Sequence, residues 1–247
     1  QPGAWVQMGQ DIDGDHTVDG SQGQQGYTVA LSADGNVLIT GLPYADKNGG
    51  HQDSGLARVY VWDPDATPVS WYSHEALGMI GGDQPGAWVK RGVDLSDGQE
   101  PDSSAYDYCG HSVAIDHDGG VVGIGCRQHR ITGNGLVRIY EWNGAAYVQR
   151  GSDLLGFCSN DNFGHNMQMS DDGNTFVVGA TWHDGDNGCH ASPRNIGGVF
   201  MYQWHNQAWE LRGETNGWTQ GQEMGDKVAL SGMGTVMVRS VSVCVQR

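Results

Sequence analysis

A sixteen-residue stretch occurs four times in this chain. Gly26 to Gly41 reads GYTVALSADGNVLITG, and it returns as GHSVAIDHDGGVVGIG (Gly110 to Gly125), as GHNMQMSDDGNTFVVG (Gly164 to Gly179) and, in weakened form, as GDKVALSGMGTVMVRS (Gly225 to Ser240). Each copy is two short alternating apolar runs about a tight polar turn. That is the pattern of a β-hairpin with alternate side chains buried and turn residues at positive φ.

Two further pieces recur with it. Ahead of each hairpin stands WVQMGQDI (Trp5), WVKRGVDL (Trp88), YVQRGSDL (Tyr147) or WELRGETN (Trp209). After three of them stands GLARVYVW ending at Trp62, GLVRIYEW ending at Trp142 or GGVFMYQW ending at Trp204. Both alternate as strands do, so a full repeat holds four strands, the content of a propeller blade. The expected fold class is therefore all-β, a β-propeller of four-stranded blades with four repeats in one domain over 1–247. The repeats span about 5–62, 88–142, 147–204 and 209–247. Equivalent glycines are 84 (26 to 110), 54 (110 to 164) and 61 (164 to 225) residues apart while the hairpin keeps its length, so the variation lies in loops. The long first spacing comes from 63–83, read as an insertion between blades. The chain opens on an outer-type strand and ends with only three strand-like pieces. Either the first strand completes the last blade and closes a ring of four, or the chain is part of a ring with more blades.

The 40 glycines are high usage, but they fall at fixed places in the repeats and belong to turns. With 13 Lys plus Arg against 29 Asp plus Glu, the net charge of −16 repels phosphate backbones and anionic lipid heads, so nucleic acid is not an expected partner. No apolar run reaches the 18 or so residues of a membrane span, so direct membrane insertion is not expected either. The opening QPGAWV has neither the basic start nor the apolar core of a signal peptide, as in a mature or excised chain.

The five cysteines include no CxxC pair. Cys109 and Cys126 flank one hairpin, whose turn brings its ends close enough to bridge; two free buried thiols are the alternative. Cys158 and Cys189 lie in loops of one repeat and are a second candidate pair, leaving Cys244 over. Disulfides imply an extracellular, cell-surface or oxidising lumenal setting.

The repeats resemble the FG-GAP repeats of integrin-α-type propellers, in the WxQxGxDI / GxSVALSxDG variety found in secreted and surface proteins. The likeness covers nearly the whole chain. In the integrin version an aspartate-rich calcium loop joins the first two strands of a blade. Here it is cut to a turn at Asp34–Gly35, Asp118–Gly119, Asp172–Gly173 and 232–234, too short to supply the oxygens calcium requires. The GAP that follows is also altered, to Gly41–Leu42–Pro43, Gly125–Cys126–Arg127 and Gly179–Ala180–Thr181. No cofactor is expected apart from calcium at Asp11, Asp13, Asp15 and Asp19, a D-x-D-G-D run without the glutamate that closes an EF-hand. A second polar group, His183, Asp184, Asp186 and His190, is weighed as a metal site against a solvated loop.

Trp5, Trp88, Trp209 and Tyr147 share one repeat position and Trp62, Trp142 and Trp204 another, as blade packing requires. Trp71, Trp182 and Trp218 do not repeat, and are candidates for stacking on a sugar or anchoring a protein partner, against plain local packing. His111 and His165 stand where Tyr27 and Asp226 stand in the other copies, which reads as a tolerant position. No GxSxG, HExxH or GxxxxGK[ST] motif occurs. The expectation is a non-enzyme: an interaction or adhesion module, or a subunit of a larger assembly, binding protein or glycan through loops. The alternative is a glycan hydrolase or lyase with carboxylates at the ring axis.

Overall fold

The computed structural model describes residues 7–14, 24–46, 52–67, 86–96, 106–128, 133–185, 189 and 195–239. Among them the secondary structure is all strand, in several antiparallel sheets, and no helix is long and apolar enough to cross a membrane. The first sheet runs β1 (Thr28–Leu31), β2 (Val37–Leu42), β3 (Leu56–Asp63) and β4 (Ala87–Lys90), each pairing the next. The second repeats this order with β5 (Cys109–Ile115), β6 (Val121–Cys126), β7 (Leu136–Trp142) and β8 (Tyr147–Gln149), with β9 (Leu154–Leu155) also on β7. The third is β10 (Phe163–Met169), β11 (Thr175–Ala180), β12 (Gly198–His205) and β13 (Ala208–Asn216). A fourth begins as the hairpin β14 (Val228–Leu230) and β15 (Met237–Arg239).

The hairpins form where the repeats place them, and one device closes the first three. The Asp of each turn accepts the backbone N–H two residues on: Asn36 N to Asp34, Gly120 N to Asp118 and Asn174 N to Asp172, at 3.0, 2.9 and 3.0 Å. The following glycines, Gly35, Gly119 and Gly173, take the positive φ that the turn demands. Sheet boundaries run one strand out of phase with the repeat as written. Trp88, Tyr147 and Trp209 pair backwards with Trp62, Trp142 and Trp204; in the second and third sheets a short turn delivers the outer strand to the strand it has just left, and in the first the same pairing forms across the long segment between Asp63 and Ala87. The ring centroids of these pairs lie 5.6, 5.1 and 5.1 Å apart.

Successive sheets stack face to face, and the core lies between them. Val37, Ile39 and Val59 of the first sheet pack on Val113 and Ile115 of the second. Val121, Val137 and Ile139 meet Met167, Met169 and Phe176 of the third, whose Val177 and Val199 meet Val228 of the fourth. Each joint repeats the same backbone links. The turns are chained by Ala33 N to His117 O, His117 N to Asp171 O and Asp171 N to Gly232 O, at 2.9, 3.0 and 2.7 Å. At the other end of the hairpins, a Cβ on Gly41, Gly125 or Gly179 would fall within 1.9–2.3 Å of the carbonyl oxygen of Gly110, Gly164 or Gly225, so only glycine permits this approach.

The three equivalent joints bring the first strands of all four sheets around one cavity of about 330 Å³. The arrangement is propeller-like, but no sheet is closed: no turn link from Gly232 back to Ala33 is present among the described residues. Two faces stay uncovered in consequence. Val29 and Leu31 are 62% and 53% exposed, where their equivalents Val113 and Ile115 are both 7% exposed, and Val236 and Val238 of the fourth sheet are 60% and 63% exposed.

Candidate functional site

The residue after each hairpin's first glycine points to the mouth of the axial cavity, and there the four copies differ: Tyr27, His111, His165 and Asp226. They form a chain from sheet to sheet. Tyr27 Oη lies 3.3 Å from His111 Nε2, His111 Nδ1 lies 3.0 Å from the carbonyl oxygen of His165, and His165 Nδ1 lies 3.8 Å from Asp226. The two imidazoles are 4.8 Å apart. Burial pushes the His111 pKa down to about 3, helped by His165 and Arg127, and burial also lowers that of His165. Both rings are neutral at pH 7, able to donate and accept hydrogen bonds without carrying charge.

Loops from the same end extend the site. Tyr44 and Tyr108 join Tyr27 in a row of edge contacts, with centroids 5.8 Å (27 to 44) and 5.6 Å (44 to 108) apart, and Tyr106 adjoins Tyr108. The Arg127 guanidinium lies 4.7 Å over the Tyr108 ring. The disulfide Cys109–Cys126 joins the two strands immediately beside Tyr108 and Arg127, so a covalent bridge holds the arginine and the ring together. Burial raises the Tyr27 and Tyr108 hydroxyl pKa values and that of the Asp53 carboxyl, so these phenols remain protonated donors. The cavity below is lined by Thr28, Ser112, Asn166, Gln168 and Lys227 with apolar neighbours, and no carboxylate stands among its described lining residues. Hydroxyls there are used in the joints: Thr28 Oγ1 donates to Gly110 O and Ser112 Oγ to Gly164 O, at 3.0 and 2.7 Å.

Tyr106 and Tyr108 adopt φ of 71° and 54°, a left-handed backbone that bulky side chains disfavour. The repeat explains the backbone but not the residues. Asn160 and Asn162 of the next copy take φ of 70° and 57°, and Gly221 and Glu223 of the last take 72° and 49°. The loop imposes this geometry everywhere, and only the second copy fills both positions with tyrosine.

The disulfides Cys109–Cys126 and Cys158–Cys189 are both formed, which suits an oxidising compartment. Of the aromatic candidates, Trp218 is 73% exposed with Arg239 5.8 Å above its ring, Trp182 is half-buried, and Trp71 lies outside the described residues. Asp11 accepts a bond of 2.7 Å from Gln7, Asp13 is exposed, and Asp15 and Asp19 lie outside the described residues. His183 lies 3.3 Å from the buried Asp161, and Asp184 accepts the Asn195 N–H, so both have partners in the loop; Asp186 and His190 fall outside the described residues. The axial chain was visible in the sequence as one variable position and was read as tolerance. Its signal is the concentration of Tyr, His and Asp at a position that follows a glycine in all four copies, in a chain whose only arginine in a GAP-like triplet is Arg127.

No protein-family profile matches the chain, and neither does any curated protein. Among solved structures it is similar to a protein of unknown function from Desulfotomaculum acetoxidans DSM 771, at 13% identity and TM-score 0.45, over 86% of this chain and 47% of that one. It is also similar to a candidate 6-phosphogluconolactonase from Bacteroides fragilis NCTC 9343, at 9% identity and TM-score 0.42, over 81% and 41%. A prolyl endopeptidase structure is more distant, at 12% identity and TM-score 0.35, over 76% and 20%. The chain thus spans less than half the length of these proteins, and none is close enough to lend it residues or a function. They do correct one expectation. The chain was read as a non-enzyme, but structures of this β-rich, propeller-like kind include proteins named as enzymes, so its build gives no ground for excluding catalysis.

Proposed function

We propose that this chain is a secreted or lumenal interaction module of the FG-GAP-like propeller type, alone or within a larger assembly, and that it binds protein or glycan partners at the axial mouth. The observation that carries the reading is the pair Tyr106 and Tyr108. Asn or Gly would satisfy the left-handed loop at lower cost, so the tyrosines are retained against local propensity, as residues in strained conformations at functional sites are. Tyr27 and Tyr106 are also about half exposed, which leaves their rings open to a partner.

The test replaces tyrosine by the next copy's residue. Tyr106→Asn should raise the melting temperature by about 2–4 °C, for about 1 kcal/mol of relieved strain. The same substitution should weaken retention of the protein on a glycan array or on an immobilised extracellular partner. Gain of stability with unchanged binding would remove the mouth from the reading.

The same reading takes the N-terminal segment as the outer strand of the fourth sheet's blade, closing a ring of four. Its support is the seat of residues 7–12. Trp88 Nε1 donates to Met8 O at 3.1 Å, just as Trp209 Nε1 donates to Arg150 O at 2.8 Å, and Arg150 directly follows β8, the outer strand of the sheet before.

A further inference from the structure

Arg127 is a cation without a counter-ion in an acidic chain. Among the described residues it makes no ion pair, and its Nε is buried with no hydrogen-bond acceptor. His165 Nδ1 is likewise buried and unpartnered, since Asp226 at 3.8 Å is too far for a hydrogen bond. Two nitrogen atoms without partners thus stand at the same mouth, beside the half-exposed ring of Tyr27 and under a row of tyrosines. The Nε itself is closed to solvent, but the Arg127 side chain is half-buried, so a ligand oxygen can meet the guanidinium at its accessible part and offset its uncompensated charge.

We propose that the mouth binds an acidic saccharide, with its carboxylate on Arg127, its sugar ring against Tyr27 and Tyr108, and its hydroxyls on His165 and Asp226; this rests on the axial mouth being a binding surface. The arginine selects a carboxylate because its planar fork matches two oxygens at once. Sugar hydroxyls both donate and accept, which suits the neutral His165 and the acceptor Asp226, while His111, whose two nitrogens are held by Tyr27 and the His165 carbonyl, lies behind them. A small inorganic anion would use Arg127 alone and meet repulsion from Asp226 and Asp53. An acidic peptide carrying several carboxylates would meet the same repulsion, within a net charge of −16. Only a ligand with one charge and many hydroxyls uses every group present. The arginine and the disulfide beside it belong to the second copy alone: the residues matching Cys109 and Cys126 are Phe163 and Ala180 in the third, and Thr181 stands in place of Arg127.

The experiment titrates the full chain, by calorimetry and by nitrogen-15 shifts of the imidazoles, with a neutral oligosaccharide carrying a single galacturonate, its methyl ester, a second oligosaccharide carrying a single glucuronate, a neutral cello-oligosaccharide and a short polyglutamate. The expected result is binding of an acidic oligosaccharide with movement of the His111 and His165 signals, and a loss of at least about tenfold on methyl esterification. Arg127→Gln should show the same loss, with acid and ester no longer distinguished, while Arg127→Lys keeps part of the preference. An unchanged far-UV spectrum and melting temperature in both variants separates loss of the contact from loss of the fold. Binding of the neutral sugar or the ester as tightly as the acid overturns the inference but leaves a glycan-binding mouth. Polyglutamate competing as well as the sugar overturns it in favour of a general anion site. If no saccharide or peptide moves the histidine signals, both the inference and the binding reading of the mouth are lost.

Discussion

At the scale of single residues, the second repeat departs from the others at Asp116. The other copies have serine there, and in the first and third its hydroxyl both donates to the turn aspartate and accepts from the strand. Ser32 Oγ lies 2.6 Å from Asp34 and 2.9 Å from Val37 N, and Ser170 Oγ lies 2.6 Å from Asp172 and 3.0 Å from Thr175 N. Asp116 places a second carboxylate in that seat. Burial pushes its pKa up to about 6, with the charge of Asp118 adding to the shift, and its Oδ1 has no partner. Between an unfolded value of about 4 and the folded value, the native state holds the extra proton, so stability falls as pH rises through that window. Asp116→Ser should therefore raise the melting temperature by a few degrees above pH 6, about 1 kcal/mol once solvent screening of the carboxylate is allowed for. The gain should disappear below pH 4. A pH-independent gain in thermal scans would mean that packing, not charge, sets the difference.

At the scale of elements, the first two sheets tie an arginine of the third strand to an aspartate just past the outer strand, and the third sheet replaces both residues. In the first sheet Arg58 donates to Asp94 at 3.1 Å, and in the second Arg138 holds Asp153 through two nitrogens at 2.6 and 2.5 Å. In the third, Phe200 stands at the arginine position and Thr215 at the aspartate position, and Phe200 packs on Phe157 and Phe163 instead. Charge and countercharge have been exchanged together, because either one left alone would be buried without its partner. Asp153→Thr should accordingly cost on the order of 2 kcal/mol, below the value for a fully enclosed pair because the Asp153 side chain keeps 35% of its exposure. Arg138→Phe with Asp153→Thr should be more stable than that single variant. Denaturant unfolding of the three proteins measures this as a coupling energy, and strict additivity would refute the exchange.

For the whole molecule, the open question is the fourth joint. Gly9, at φ 74°, lies so close to Trp62 that a Cβ would fall 2.6 Å from Cζ3, so Gly9→Ala must shift the N-terminal segment. If that segment is the outer strand of the fourth blade, hydrogen exchange in Gly9→Ala should rise in Val228–Leu230 and Met237–Arg239 as well as around Trp62 and Trp88. Changes limited to the first sheet would show that the segment merely lies on it. The residue matching Gly41, Gly125 and Gly179 in the fourth copy is Ser240, which lies outside the described residues.

What the sequence by itself determined was everything local and periodic. The hairpins, their Asp–Gly turns, the paired aromatics and the Cys109–Cys126 bridge follow from alternation and from spacing within a few tens of residues, where strand geometry leaves little choice. The outer strand's backward pairing, the exposure of Val29 beside the burial of Val113, and the meeting of Tyr27, His111, His165 and Asp226 were decided only by tertiary structure. Those four residues are 84, 54 and 61 positions apart. Their convergence comes from stacking sheets around one axis, which turns a single repeat position into a ring of neighbours, and a substitution pattern that looks like tolerance along the chain becomes a site across it.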